Sequence, residues 1–240
     1  MRALQNSKIL VLGDLHGNFS KLNALIAKEK PSLILQCGDF GYWPHFDHQA
    51  LSCIDTENTT IYFCEGNNDD IRELLVQCGG KPEATPVHPG IYYMPRGSVL
   101  QLDDGRRVMF VGGALSVDRF RRHKGLDWFP EEILLAEDLR LLPDENMDII
   151  ISHTCPLEFD MEKYLRYCSN DIDPSRQVLS EVLQKYRPDL WYFGHFHIQA
   201  GDCYDNTNWF ALSWYKEYPG WFKLLPPAPD ESTSLNGVRP

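Results

Sequence analysis

The stretch Lys8-Ile9-Leu10-Val11-Leu12-Gly13-Asp14-Leu15-His16-Gly17-Asn18-Phe19 decides how this chain is read. A β-prone run leads straight into a glycine turn that carries a carboxylate and an imidazole two positions apart. Two more apolar runs behave alike: Leu33 to Cys37 ends at Gly38-Asp39, and Thr60 to Cys64 ends at Gly66-Asn67-Asn68-Asp69. Later in the chain, Ser152-His153 and Gly194-His195-Phe196-His197 also fall where strands are expected to end. In open α/β sheets the carboxyl ends of strands are where sites form.

Working outward, strands over 8–12, 33–37 and 60–64 alternate with helical stretches over about 18–29, 46–55 and 69–77. That rhythm predicts a parallel sheet with helices against it. Phe19, Leu22, Leu25 and Ile26 recur at the spacing of a helix stripe, and Pro31 stops that helix. From Ile91 the texture changes to short β pieces, 91–94, 99–102 and 108–111, with Asp103-Asp104-Gly105 as a hairpin turn. Helices are expected over 131–141 and 174–186, strands over 147–151 and 190–193, and further β pieces to about Leu225. The expected architecture is α/β, with helices outside two packed sheets. One domain over 1–225 is followed by 226–240, a Pro-Pro-Ala-Pro and polar segment expected to be a mobile tail.

At 240 residues with 43% hydrophobic side chains, the chain can bury a core without disulfide staples. Its seven cysteines are an odd number without CxxC spacing, which suits a reducing, cytoplasmic compartment. The first residues lack a signal peptide's apolar stretch, and no run approaches the roughly 18 apolar residues of a membrane span. A net charge of -11 disfavours nucleic acid, whose binding depends on Lys and Arg neutralising phosphates. A small anionic substrate held by metal stays compatible, and the sequence leaves the oligomeric state open.

Each motif alone is a weak signal, because Asp-Gly and Gly-Asn pairs also make ordinary turns. Jointly they place Asp14, His16, Asp39, Asn67, His153, His195 and His197 at strand ends, a mixed N and O ligand set suited to transition metals rather than Ca. Asp39 can use both carboxylate oxygens to bridge two cations, and His195 and His197, on either side of Phe196, can serve different metals of one pair.

In this order the segments resemble the calcineurin-like metallophosphoesterases, whose pattern is GDxHG, GD, GNH(D/E), H and GHxH, over Gly13 to His197. The resemblance implies a four-layer α-β-β-α sandwich of two mixed sheets flanked by helices. It implies two divalent metal ions, Mn first, with Fe, Zn, Ni, Co or Mg as alternatives. Asp14, His16 and His197 would hold one ion, Asn67, His153 and His195 the other, and Asp39 would bridge them. The implied reaction is hydrolysis of a small phosphorylated substrate by a hydroxide held between the metals.

The chain departs from the pattern at Asn68, where most of the family has a histidine thought to protonate the leaving oxygen. An amide cannot deliver that proton, and a positioned general acid is worth roughly 100- to 10,000-fold. The small prokaryotic phosphodiesterases with Gly-Asn-Cys-Asp also lack this histidine, so the expectation shifts toward diesters, nucleotide-like esters or anhydrides. Phosphomonoesterase or protein phosphatase activity is the alternative, followed by a nuclease or a non-catalytic scaffold of the same fold. Asn68, Asp69 and His123 stand beside Asp39 as catalytic candidates, with His45 and His48 as weaker replacements for the acid. Arg119, Arg121 and Arg122 are candidates for a phosphate clamp. Tyr42 and Trp43, just after Asp39, are candidates for an aromatic pocket wall.

Overall fold

Residues Ile9–Leu12 form strand β1, buried on both faces: Leu10 and Leu12 point to one apolar layer and Val11 to another. That alternation follows from the two-residue period of a strand. The same pattern recurs in β2 (Leu33–Gln36) and β3 (Thr60–Phe63), which lie parallel beside β1. The computed structural model describes residues 8–165, 173–217 and 219–229.

One sheet is completed by β4 (Thr85–His88), β5 (Ile91–Tyr93) and β12 (Phe222–Leu224), in the order β12-β1-β2-β3-β5-β4. The other holds β6 (Ser98–Gln101), β7 (Arg107–Val111), β8 (Ile149–Ser152), β9 (Leu190–Phe193), β10 (Ala200–Tyr204) and β11 (Thr207–Ala211). Its order is β10-β11-β9-β8-β7-β6. Both sheets are mixed, with parallel centres and antiparallel strands at the edges. The turn at Asp103-Asp104-Gly105 joins β6 to β7 as a hairpin.

Three apolar layers account for the architecture. Val11, Leu35, Phe110, Ile149, Ile151 and Tyr192 fill the space between the sheets. Helices α1 (Phe19–Glu29) and α2 (Ile71–Cys78) cover the outer face of the first sheet. Helix α3 (Pro174–Tyr186) covers the second through Val178, Leu179, Val182 and Leu183 against Trp191 and Phe193. The result is the expected α-β-β-α sandwich. No helix among the described residues is long and apolar enough to cross a membrane.

Two expected helices do not form. Over 46–55 only a 3-10 turn, Ala50–Cys53, is present. There the Asp47 carboxylate accepts the Gln49 N–H, the local bond by which aspartate competes with a helix. Over 131–141 the chain makes two 3-10 turns, Pro130–Glu132 and Ala136–Leu141. The cause is tertiary: the Arg96 guanidinium takes the carbonyls of Glu131, Glu132 and Ile133, which a continuous helix would need for its own ladder. Strand β4 is an element the sequence pattern does not announce, since its alternation is broken by Pro86 and a bulge. Of the tail over 226–240, residues 230–240 lie outside the described residues. Cys168 does too, and Cys37, Cys53, Cys64, Cys78, Cys155 and Cys203 are free thiols.

Arg96 is also the partner of Glu65, whose side chain has no exposed surface, at 2.7 Å, and of Asp138 at 2.8 Å. Removing one member of a buried pair strands the other charge. Arg96→Ala is therefore expected to destabilise the protein by about 3 to 5 kcal/mol, measured by urea denaturation.

Candidate metal centre

The motif loops all leave the same edge of the sandwich: Asp14 follows β1, Asp39 follows β2, Asn67 follows β3, His153 follows β8, and His195 and His197 follow β9. Two backbone devices let these short loops bring their side chains together. His16, Asp39, His195 and His197 have positive φ, at 45°, 54°, 66° and 55°. This left-handed region is sparsely occupied by residues with a Cβ, and such strain clusters at functional sites. Glycine supplies the other device. A Cβ on Gly66 would lie 2.1 Å from Asp39 Oδ1, and one on Gly194 would lie 2.0 Å from Asp14 Oδ1, so both carboxylates stand against bare backbone.

One group of ligands is Asp14, His16, Asp39 and His197, each offering an atom within 4.8 Å of the others. His16 Nε2 and His197 Nε2 are 2.9 Å apart, and Asp14 Oδ2 lies 3.0 Å from the latter. That buried oxygen has no hydrogen bond. An orphaned carboxylate oxygen facing two imidazole nitrogens is satisfied by a cation, so these residues fit a metal.

A second group adjoins the first. Asn67 Oδ1 is 2.9 Å from His195 Nδ1 and 3.0 Å from His153 Nε2, which in turn is 3.3 Å from Asp39 Oδ1. Asp39 Oδ2 lies 3.6 Å from His16 Nδ1. The two oxygens of one carboxylate thus face the two groups. His153 Nδ1 donates to the Cys37 carbonyl at 2.8 Å, which fixes the tautomer and turns the Nε2 lone pair toward the centre.

Electrostatics match this geometry. Burial alone would raise the Asp39 carboxyl, but His153, His16 and two hydrogen bonds from Asn68 together hold it at about 2. Burial opposes protonation of His153, yet the charges of Asp39 and Asp14 win and raise it. Burial and the neighbouring His153 push His195 down to about 3, keeping it a neutral ligand.

The remaining candidates fall in different places. Asn68 donates to Asp39 twice, from its backbone N–H to Oδ1 at 2.7 Å and from Nδ2 to Oδ2 at 2.9 Å. Asp69 is buried and its oxygens accept the N–H groups of Phe40, Gly41, Tyr42 and Gly66, tying the second motif loop to the third. Burial and the charge of Asp39 raise its carboxyl to about 6. Trp43 lines a groove that includes His16, whereas Tyr42 is buried with its hydroxyl accepting from Gln77 Nε2. The three arginines diverge. Arg122 pairs with Asp118 at 2.8 Å and donates to the Asn67 carbonyl at 3.0 Å, bracing the third motif from behind. Arg119 lies over the Phe120 ring, and Arg121 is exposed. His123 is exposed, with its backbone N–H bonded to Asp127. His45 faces Asp70 and Glu73, and His48 is exposed.

Three residues outside the candidate set shape the centre. Gln36 is fully buried and its amide bonds Gly13 O, Gly38 O and Gly38 N, joining the first two motif loops. Its signal was a polar residue inside an apolar strand, which demands partners. Trp214 lies parallel to the His197 ring, with centroids 4.6 Å apart and planes 2° apart. Ser213 donates to the His197 carbonyl at 2.8 Å. Neither has a local sequence signal, because they reach the site through the β11–β12 connection.

The sequence profile of the calcineurin-like phosphoesterases matches residues 7–199. Among solved structures, the phosphopantetheinyl hydrolase from Mycobacterium tuberculosis is similar at 13% identity and a TM-score of 0.50, over 94% of this chain and 98% of that one. A Staphylococcus aureus protein provisionally named a 5'-nucleotidase is similar at 13% identity and a TM-score of 0.51, over 95% of this chain and 56% of that one. At these identities the likeness concerns the fold. No curated protein sequence matches the chain significantly.

Metal uptake by this ligand set should release protons, because His153 is raised above its ordinary value and must give up its Nε2 proton to bind. The expected outcome is more protons released per Mn bound at pH 6 than at pH 8, and an apparent affinity that rises with pH. Calorimetry in buffers of different ionisation enthalpy measures both.

Proposed function

The chain belongs to the calcineurin-like phosphoesterase family, which uses a binuclear metal centre, and on that premise we propose that it hydrolyses phosphodiesters, nucleotide-like esters or phosphoanhydrides. The observation that carries the two-metal reading is Asp39, whose Oδ2 faces His16 at 3.6 Å and whose Oδ1 faces His153 at 3.3 Å. Asp14, His16 and His197 would hold one ion, and Asn67, His153 and His195 the other. Mn is the first choice for a mixed imidazole and carboxylate set, and Fe, Zn, Ni, Co and Mg are alternatives. When bound, the ions would supply an activated water and positive charge for the phosphoryl oxygens.

The protein's own residues then set which ester is cleaved. Asn68 is held against Asp39 by one backbone and one side-chain hydrogen bond, so its amide orients the shared carboxylate rather than standing free toward a leaving group. Without a proton donor at that position, a leaving oxygen has to carry its own negative charge, which favours aryl oxides and the phosphates released from anhydrides, nucleotides among them, over serine-like alkoxides. The same argument ranks phosphomonoesterase and protein phosphatase activity second. A nuclease ranks below them because the net charge is -11. The substrate is a small phosphorylated molecule, and the free thiols suit a cytoplasmic setting.

The reading is tested by assaying Mn-loaded protein on bis(p-nitrophenyl) phosphate and on alkyl and aryl monoesters. Asp39→Asn is expected to abolish turnover and lower metal content, measured by elemental analysis. Asn68→His is expected to raise turnover on alkyl monoesters by about 100-fold, the lower end of a general acid's contribution, with a smaller effect on aryl diesters. Absence of turnover in the metal-loaded protein on every ester class defeats the proposal.

A further inference from the structure

A groove of about 510 Å³ opens beside His16, between the turn Gly17 to Ser20 and the segment Gly41 to Asp47. That volume lies within the roughly 300 to 1,000 Å³ of small-ligand sites. We propose that this groove is the subsite for a neutral, planar aromatic substituent of the phosphate ester, an aryl group or nucleobase, whose phosphate sits at the metal centre. The inference deepens the phosphoesterase reading and rests on it.

The shape of the groove argues for a flat ligand. One side carries the rings of Trp43 and Phe46, with centroids 5.7 Å apart. Backbone at Gly17 and Gly41 also lines the groove, the two packed so closely that a Cβ on Gly41 would meet Gly17 N at 2.0 Å. Aromatic rings lining a groove offer faces to a flat ligand, and base stacking on aromatic side chains is tolerant of which base enters. Phe46 packs on Trp43 yet is 64% exposed, so much of its ring remains open to a ligand.

Charge argues for neutrality. The lining residues include no lysine or arginine, so nothing there would neutralise a second phosphate. Its one carboxylate, Asp47, already accepts the Gln49 N–H.

Position links the groove to the chemistry. His16 belongs both to the lining and to the ligand cluster. Trp43 is anchored by its Nε1, which donates to the Asn68 carbonyl at 2.9 Å. The aromatic wall is therefore fixed to the residue that orients Asp39. A good aryl or nucleotide leaving group, or an aromatic group retained on the phosphate, would reach this wall from the centre.

The test is binding of phenyl phosphate and methyl phosphate to the Mn-loaded full chain, by calorimetry, in wild type, Phe46→Ala and Phe46→Tyr. Wild type is expected to prefer phenyl phosphate by about tenfold, in line with the stacking of one ring. Phe46→Ala should lose most of that preference while keeping its affinity for methyl phosphate, its metal content and its melting temperature, and Phe46→Tyr should retain the preference. Equal affinity for the two esters in wild type, binding of neither, or a preference undiminished in Phe46→Ala overturns the subsite. Turnover on diphenyl phosphate and bis(p-nitrophenyl) phosphate is read separately. A preference lost in Phe46→Ala without any turnover would leave the subsite standing and the phosphoesterase reading defeated, and turnover without a preference would do the reverse.

Discussion

Asp39 is the point on which the molecule's chemistry turns. Its carboxylate is buried, it faces a different imidazole with each oxygen, and it receives both hydrogen bonds that Asn68 can direct at it. To reach that position its backbone adopts a φ of 54°, and the adjacent third motif must have glycine at 66 to let it in. Gln36 and Asp69 hold the loops on either side, through buried bonds that leave little freedom to relax. A strained, over-determined carboxylate of this kind is pre-organised, so little reordering is needed when cations arrive.

The imidazoles around it are held by partners of different character. His153 is fixed by a backbone carbonyl, His195 by Asn67 Oδ1 2.9 Å from its Nδ1, and His197 by the stacked indole of Trp214. Lys216 sits over the same indole at 4.1 Å, so a cation, an aromatic ring and a ligand imidazole form one column at the mouth of the site. The third motif has its own brace in Arg122, whose guanidinium is spent on Asp118 and the Asn67 carbonyl. The same guanidinium also reaches the Asp127 carbonyl at 3.5 Å.

Much of the fold was legible because its signals are local. β1, β2 and β3 are apolar runs that end at glycine, and α1 and α3 carry stripes at helical spacing. The two failed helices have different causes, a local carboxylate at Asp47 in one and a distant side chain claiming backbone that looked helical in the other. Glu131 to Leu141 reads as a helix until Arg96, from the segment between β5 and β6, takes its first three carbonyls. Tyr42 and Trp43 look alike in sequence, yet one packs into the core beneath α2 and the other walls a groove, a difference set by the direction of the chain after Gly41.

The sequence by itself determined the candidate ligands and the order in which they occur, because metal ligands need particular side chains and tight turns need glycine wherever the chain goes. It also determined that position 68 is an amide, where the resembled pattern has a histidine, in any fold. Tertiary structure alone decided that Asp39 faces both ligand groups, that Asn68 is committed to orienting it, and that Gln36, Ser213 and Trp214 support the centre. Those outcomes depend on distances between loops that the two sheets bring together from opposite ends of the chain, and no local spacing contains them.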